Sequence, residues 1–247
     1  GAKTAAIMNL NEKDIYYAKN IFEKRYPAGK NANGSISYVD SAKDALLDAD
    51  ICFVMTEWPE CKEVKAEEFT KLMKKAVVYI HGKGGNIEEA EIYRSLFPGY
   101  DVIGFDYVSE NPWDAQKEFS EYFRELEKKY ESITAVANSI GAYFLMVSEI
   151  DLDRYFFISP IVDMEKLIED MMTWANVSED ELREKGEIET SFGQTLSWEY
   201  LCYIKNNPIT WTVPTHVLYG SKDNLTSFVT ISKFIEQTGA TLTVLEN

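Results

Sequence analysis

The chain has 247 residues, 45% of them apolar, 27% charged and 13% aromatic, a balance that suits one large or two small packed domains and excludes an intrinsically disordered chain. Lys and Arg number 25 against 41 Asp and Glu, a net charge of −16, and residues 1–75 hold 12 basic and 12 acidic residues, which leaves 13 and 29 for residues 76–247. So acidic a second part repels a phosphate backbone and anionic lipid, which argues against nucleic-acid and membrane partners, although the same charge also serves solubility alone.

No apolar run reaches the length of a membrane span, and no basic segment leads into an apolar one as in a secretory leader, so a soluble cytoplasmic protein is expected. Cys52, Cys61 and Cys202 are odd in number and form no CxxC pair. They read as reduced thiols, with no metal site or disulfide framework.

The first part alternates β-rich runs with helical patterns, as βαβ units do. Thr4–Met8 reads as a strand, and Asn11 with Asp14 opens a helix carried by Ile15, Ala18, Ile21 and Phe22. Residues 27–34 read as a loop and Ile36–Val39 as a short strand. Ser41 and Asp44 then open a helix to about Ala49, and Ile51–Met55 is an apolar run that suits a strand buried on both faces.

The stretch from Asp40 to Asp50, with Thr56-Glu57-Trp58 after it, resembles the C-terminal UDP-binding domain of UDP-glucose 6-dehydrogenases over about residues 1–79. The resemblance implies a Rossmann-like segment over residues 1–75. That segment is either a structural remnant or a weak binder of UDP-sugars. The dehydrogenase's NAD lobe, its catalytic cysteine and its Asp-Gly-Arg-Asn strand end have no counterpart here, so dehydrogenase activity and a bound cofactor are not expected.

Ala76–Ile80 is β-rich and ends in His81-Gly82-Lys83-Gly84-Gly85, and a helical pattern with Glu88, Glu89 and Glu91 in its early turns begins just beyond. Asp101–Phe105 reads as a strand, Trp113–Tyr130 as an amphipathic helix and Ile133–Ala137 as a third strand. Then comes Ala137-Asn138-Ser139-Ile140-Gly141, between an apolar strand and the helical run Ala142–Ser148. A serine on a sharp strand-to-helix turn needs small residues two positions to either side, and Ala137 and Gly141 meet that need. Ser139 read without this context would be a helix N-cap.

With the glycine loop upstream, this pentad resembles the nucleophile elbow of α/β-hydrolases, a likeness that covers about residues 76–247. The resemblance makes Ser139 the nucleophile and Lys83 and Ile140 the backbone donors of an oxyanion hole. It leaves His81 and Gly82 as support of the loop. A phosphate cradle is the alternative reading of the glycines, though the P-loop spacing is missing. Tyr155–Ser159 and Thr215–Tyr219 read as later core strands, and Gly220-Ser221-Lys222-Asp223 resembles the family's turn that delivers the triad acid, Asp223. Its plainer role is to cap the helix expected over Leu225–Gln237.

Thr241–Leu245 reads as the last strand, after which the family places its histidine. The two histidines of the sequence are His81 and His216, and His216 falls in the body of a strand about seven residues before Asp223. A truncated sequence is therefore expected, with the triad base missing. Pro160–Val213 resembles the helical cap that such hydrolases insert, at about 160–213. Met164, Leu167, Ile168, Met171, Met172 and Trp174 recur there at helical spacing, as core or as an acyl pocket.

The expectation is thus an α/β chain with a largely parallel sheet flanked by helices, a hydrolase-like domain over 76–247 and a Rossmann-like segment before it. It would act on a small acyl substrate, impaired by the missing base. The alternatives are a nucleotide-sugar binding fragment with an inert hydrolase part, and a noncatalytic fusion of the two.

Overall fold

The computed structural model describes residues 4–8, 29–31, 34–39, 41–46 and 74–246. They fall in two compact units, one of residues 1–75 with 126–132 and one of residues 76–125 with 133–247.

In the first unit β1 (Thr4–Met8), β2 (Gly29–Asn31) and β3 (Gly34–Val39) form a sheet in the order β1-β3-β2. β1 runs parallel to β3 and β2 antiparallel to it. The loop expected over 27–34 is corrected here, because Gly29–Asn31 lacks β-branched residues yet pairs through its backbone with Gly34–Ile36. α1 (Ala42–Leu46) starts at Ser41, whose Oγ accepts the Asp44 N–H at 3.0 Å. The helix expected from Asn11 and the strand expected at Ile51–Met55 lie outside the described residues.

The second sheet is built from β4 (Lys75–Ile80), β5 (Asp101–Phe105), β6 (Ser132–Asn138), β7 (Arg154–Ile158), β10 (Thr215–Gly220) and β11 (Thr241–Leu245). It is six-stranded and parallel, in the order β11-β10-β7-β6-β4-β5. Ala76–Ile80 and Ile133–Ala137 are buried throughout, as uninterrupted apolar runs covered on both faces must be. β11 is an edge strand and largely exposed.

Helices flank this sheet. α2 (Pro112–Glu127) buries Phe119 and Phe123 and stacks Tyr122 on Phe105, with ring centroids 3.8 Å apart. α3 (Ile140–Val147) has a polar face nowhere and is buried from Gly141 to Val147. The helix expected after the glycine loop is instead a 3-10 segment, Ile87–Tyr93, capped by the Asn86 side chain. It packs against β5 at Gly104, where a Cβ would lie 2.5 Å from the Ile87 carbonyl oxygen. The helix expected from Leu225 begins only at Phe228, as α7 (Phe228–Thr238), because Ser227 caps it by accepting the Thr230 N–H.

Between β7 and β10 lie α4 (Met164–Ala175), α5 (Glu179–Lys185), a hairpin of β8 (Glu187–Glu189) and β9 (Thr195–Ser197), and α6 (Trp198–Asn206). The insertion is therefore helical with a hairpin in it. Met164, Leu167, Ile168 and Met172 are buried in a shared stripe, whereas Trp174 is 53% exposed and meets Phe192 of the hairpin edge to face. No helix among the described residues is long and apolar enough to cross a membrane.

The chain passes from β4 outward to β5 and then returns to the other side of β4 to make β6. Parallel sheets open a crevice at the C-terminal strand ends where the order reverses in this way. His81 and Ser139 follow those two ends directly.

Candidate active site

Ser139 adopts φ 52° and ψ −118°, a strained conformation for a residue with a side chain. Backbone bonds hold it there: its N–H donates to the Ile158 carbonyl at 2.9 Å, and its own carbonyl accepts from Ala142 and Ile161 at 3.2 Å each. The Ser139 side chain caps nothing in α3. The turn requires glycine at 141, since a Cβ there would lie 2.5 Å from the His81 carbonyl oxygen. Ala137, fully buried, fills the other small position.

The glycine loop lies against this turn. A Cβ on Gly82 would stand 3.2 Å from the Ser139 Cβ, and Gly85 N–H closes the loop onto the Gly82 carbonyl at 3.0 Å. Gly84 at its tip takes φ 74°. Among the described residues the Lys83 and Ile140 amides enter none of the loop and turn hydrogen bonds, so both donors remain available at the elbow. The Lys83 ammonium points elsewhere, donating to Gln194 Oε1 of the hairpin at 2.5 Å.

His81 supports the loop with its ring. The imidazole stacks on Tyr107 at 4.4 Å and 12°, and its Nδ1 lies 2.8 Å from the Gly82 carbonyl, while the Tyr107 hydroxyl donates to the His81 carbonyl at 2.8 Å. Beneath the loop the Tyr79 hydroxyl donates to Glu89 at 2.5 Å. Burial, then the Glu89 bond, pushes that phenol well above its ordinary range. Nothing in the sequence singled out Tyr79 or Tyr107, and Glu89 read there only as an acid in the early turns of a helix.

Asp223 stands in the turn after β10, so at the same C-terminal sheet edge as Ser139 and the glycine loop. Its Oδ1 accepts the Leu225 and Thr226 N–H groups at 2.9 and 3.0 Å. Thr226 Oγ1 donates in turn to the Pro160 carbonyl, and Ile161 donates to Ser139. A short hydrogen-bonded route thus ties the Asp223 turn to the elbow. His216 is placed apart from them, near the start of β10, where its ring nitrogens lie 2.7 and 3.0 Å from the hydroxyls of Thr241 and Thr243.

Among the described residues no group of His, Cys, Asp or Glu could hold a metal ion. Cys202 is half-buried and unpaired, and Cys52 and Cys61 lie outside the described residues. So, apart from 41–46, does the stretch that carries the resemblance to UDP-glucose 6-dehydrogenases.

No protein-family model and no curated protein matches this chain. Solved structures do. Est1E from Butyrivibrio proteoclasticus is similar to it with a TM-score of 0.57 at 16% identity, over 72% of this chain and 79% of that one. Est1E with ferulic acid bound gives 0.52 at 16% identity, over 70% and 79%. A likeness at that identity concerns the fold, and the fold is that of the α/β-hydrolases.

Proposed function

We propose that residues 76–247 form a serine hydrolase acting on small esters or related acyl compounds, in which Ser139 is the nucleophile. The strained Ser139 backbone beside Gly82 carries this reading, because strain at a serine on a strand-to-helix turn lifts its Oγ clear of the sheet. Attack by Oγ on an ester carbonyl would place the developing oxyanion between the Lys83 and Ile140 amides. Asp223 keeps Oδ2 to orient an imidazole, its Oδ1 being taken by two backbone donors.

Neither His81 nor His216 is in place to be that imidazole. His81 is turned onto its own loop and His216 onto two threonines, so neither takes the Ser139 proton. With these residues alone, hydrolysis would be held to what the oxyanion donors and binding supply, roughly 10³–10⁴ over water. The ferulic acid held by Est1E supports esters of aromatic acids within the substrate range. No cofactor or metal enters this chemistry.

A fluorophosphonate probe tests the reading without needing a good substrate. Covalent mass added at Ser139 when imidazole is supplied as an external base, and lost in Ser139→Ala, is the expected result. Labelling elsewhere, or none at millimolar probe over hours, overturns it.

A further inference from the structure

Of the three acids in the 3-10 segment after the glycine loop, one turns inward. Glu88 is exposed, and Glu91 pairs with Arg94 at the surface. Glu89 is half-buried instead. Its Oε2 accepts the Tyr79 hydroxyl at 2.5 Å, and its Oε1 stands 3.0 Å from where a Cβ on Gly85 would lie. The carboxylate therefore reaches from strand β4 to the last glycine of the loop.

Both ends of this link are fixed. Tyr79, the penultimate residue of β4, is buried, and its ring stacks on Tyr93 of the same 3-10 segment at 5.0 Å and 26°. A phenol donating to a carboxylate makes a stronger bond than a neutral pair does. At the other end Gly85 N–H donates to the Gly82 carbonyl at 3.0 Å, and the Cβ position of Gly82 is 3.2 Å from the Ser139 Cβ. Contacts thus run without a break from Glu89 through Gly85 and Gly82 to the serine. The support from His81 arrives at Gly85 as well, since the His81 Cβ also lies 3.0 Å from that Cβ position. Three of the four residues from Gly82 to Gly85 are glycines, so the loop has little stiffness of its own and must be held from outside.

We propose that Glu89 is a positioning residue, whose carboxylate, held by Tyr79, wedges Gly85 and sets the glycine loop so that the Lys83 amide is aimed at Ser139 before an acyl group arrives. The proposal rests on the esterase reading for what that amide does. An oxyanion donor is effective because it is in place in advance, and a misplacement of about 1 Å can cost about 10²-fold in rate. Glu89 does not touch the reacting atoms and acts through the loop alone. Glutamine at this position keeps the shape and an acceptor for Tyr79, whereas alanine removes both.

The test follows fluorophosphonate labelling of Ser139, with imidazole supplied, against probe concentration in the parent chain, Glu89→Ala, Glu89→Gln and Tyr79→Phe. The expected result is a saturating rate about tenfold lower in Glu89→Ala and severalfold lower in Tyr79→Phe, at an unchanged half-saturating concentration. Glu89→Gln should stay within twofold of the parent. Glu89→Ala also leaves the buried phenol without its acceptor and should melt lower. Phe123→Leu, a core change in α2, therefore serves as the control for lost stability and should label at the parental rate. Deuterium exchange of the Gly85 amide should quicken in Glu89→Ala and not in Glu89→Gln or Phe123→Leu. A rate within twofold of the parent in Glu89→Ala or Tyr79→Phe overturns the proposal. So does an equal fall in Glu89→Gln or Phe123→Leu, or Gly85 exchange that Glu89→Ala leaves unchanged. A parent that does not label would sink the esterase reading instead, and Gly85 exchange, which needs no reactive serine, would still decide whether Glu89 holds the loop.

Discussion

Gly82 and Ser139 approach so closely that a Cβ on the glycine would stand 3.2 Å from the serine Cβ. The approach is what puts the loop amides beside the nucleophile, and it makes the two glycines of the site unequal. At Gly141 an added methyl meets a backbone oxygen at 2.5 Å, which cannot move without the β4 end moving too. Gly141→Ala should therefore cost about 2–3 kcal/mol in urea unfolding. Gly82→Ala should cost less than about 1 kcal/mol, yet slow fluorophosphonate labelling of Ser139 severalfold. Equal stability losses in the two variants would mean that the elbow is not as tight as its backbone contacts imply.

Lys83 separates a backbone role from a side-chain one. Lys83→Ala keeps the amide and loses only the Gln194 bond, and residual ester hydrolysis should stay within about twofold. Lys83→Pro removes the amide and should lower it by roughly 10²-fold, the loss typical of one oxyanion donor. Similar rates in both variants would take the oxyanion role away from this amide.

The acid should be silent until a base is supplied. In the present chain Asp223→Asn should change residual hydrolysis of a short activated ester little, since the asparagine carbonyl can still accept from Leu225 and Thr226. With a histidine-bearing extension placed shortly after Asn247 the rate should rise by orders of magnitude, and Asp223→Asn should then become costly, a strongly non-additive pair. His216→Ala should leave the rate unchanged in either background and lower stability by about 1 kcal/mol through its threonine bonds. Control of the rate by His216 would reverse this picture.

Periodicity made the hydrolase-like sheet legible. The continuous apolar runs 76–80 and 133–137 and the turn residues after 220 placed strands β4, β6 and β10 to within a residue or two. The same reasoning misjudged Gly29–Asn31, which is a strand only because β3 offers it a ladder. It also misjudged Ile87–Tyr93, whose 3-10 winding answers to the packing at Gly104. At the site, spacing and small residues pointed to Ser139 and its neighbours. Tyr79 and Tyr107 were invisible because what distinguishes them is contact between separate elements, and no local pattern encodes that.

Alkaline pH should unfold the domain through its tyrosines. Burial, the leading cause in each case, pushes Tyr122 and Tyr155 up to about 12, and raises Tyr107 and Tyr143 further. An unfolded chain releases these protons near pH 10, so the native state binds more protons above that point. Stability is then complete below pH 10 and falls as pH rises toward 12, by about 1.4 kcal/mol per pH unit for each such group. Urea midpoints between pH 8 and 11.5 should show the decline, with the tyrosinate absorbance of these four residues rising only as the chain unfolds. Full tyrosinate absorbance at pH 10.5 in a chain still folded would contradict it.

The placement of β10 beside β7 has a consequence for synthesis. β7 presents Tyr155-Phe156-Phe157-Ile158, and its partner on that side begins only at Thr215. At roughly 5–20 residues per second, the ribosome leaves this proline-less apolar strand without its ladder for several seconds while the insertion is made. An unpaired edge of that composition is a template for another nascent copy. Yield in a heterologous host should accordingly depend on holdase chaperones and on temperature. A lysine at Phe156, only partly buried in the finished sheet, would relieve the hazard at the cost of some core packing.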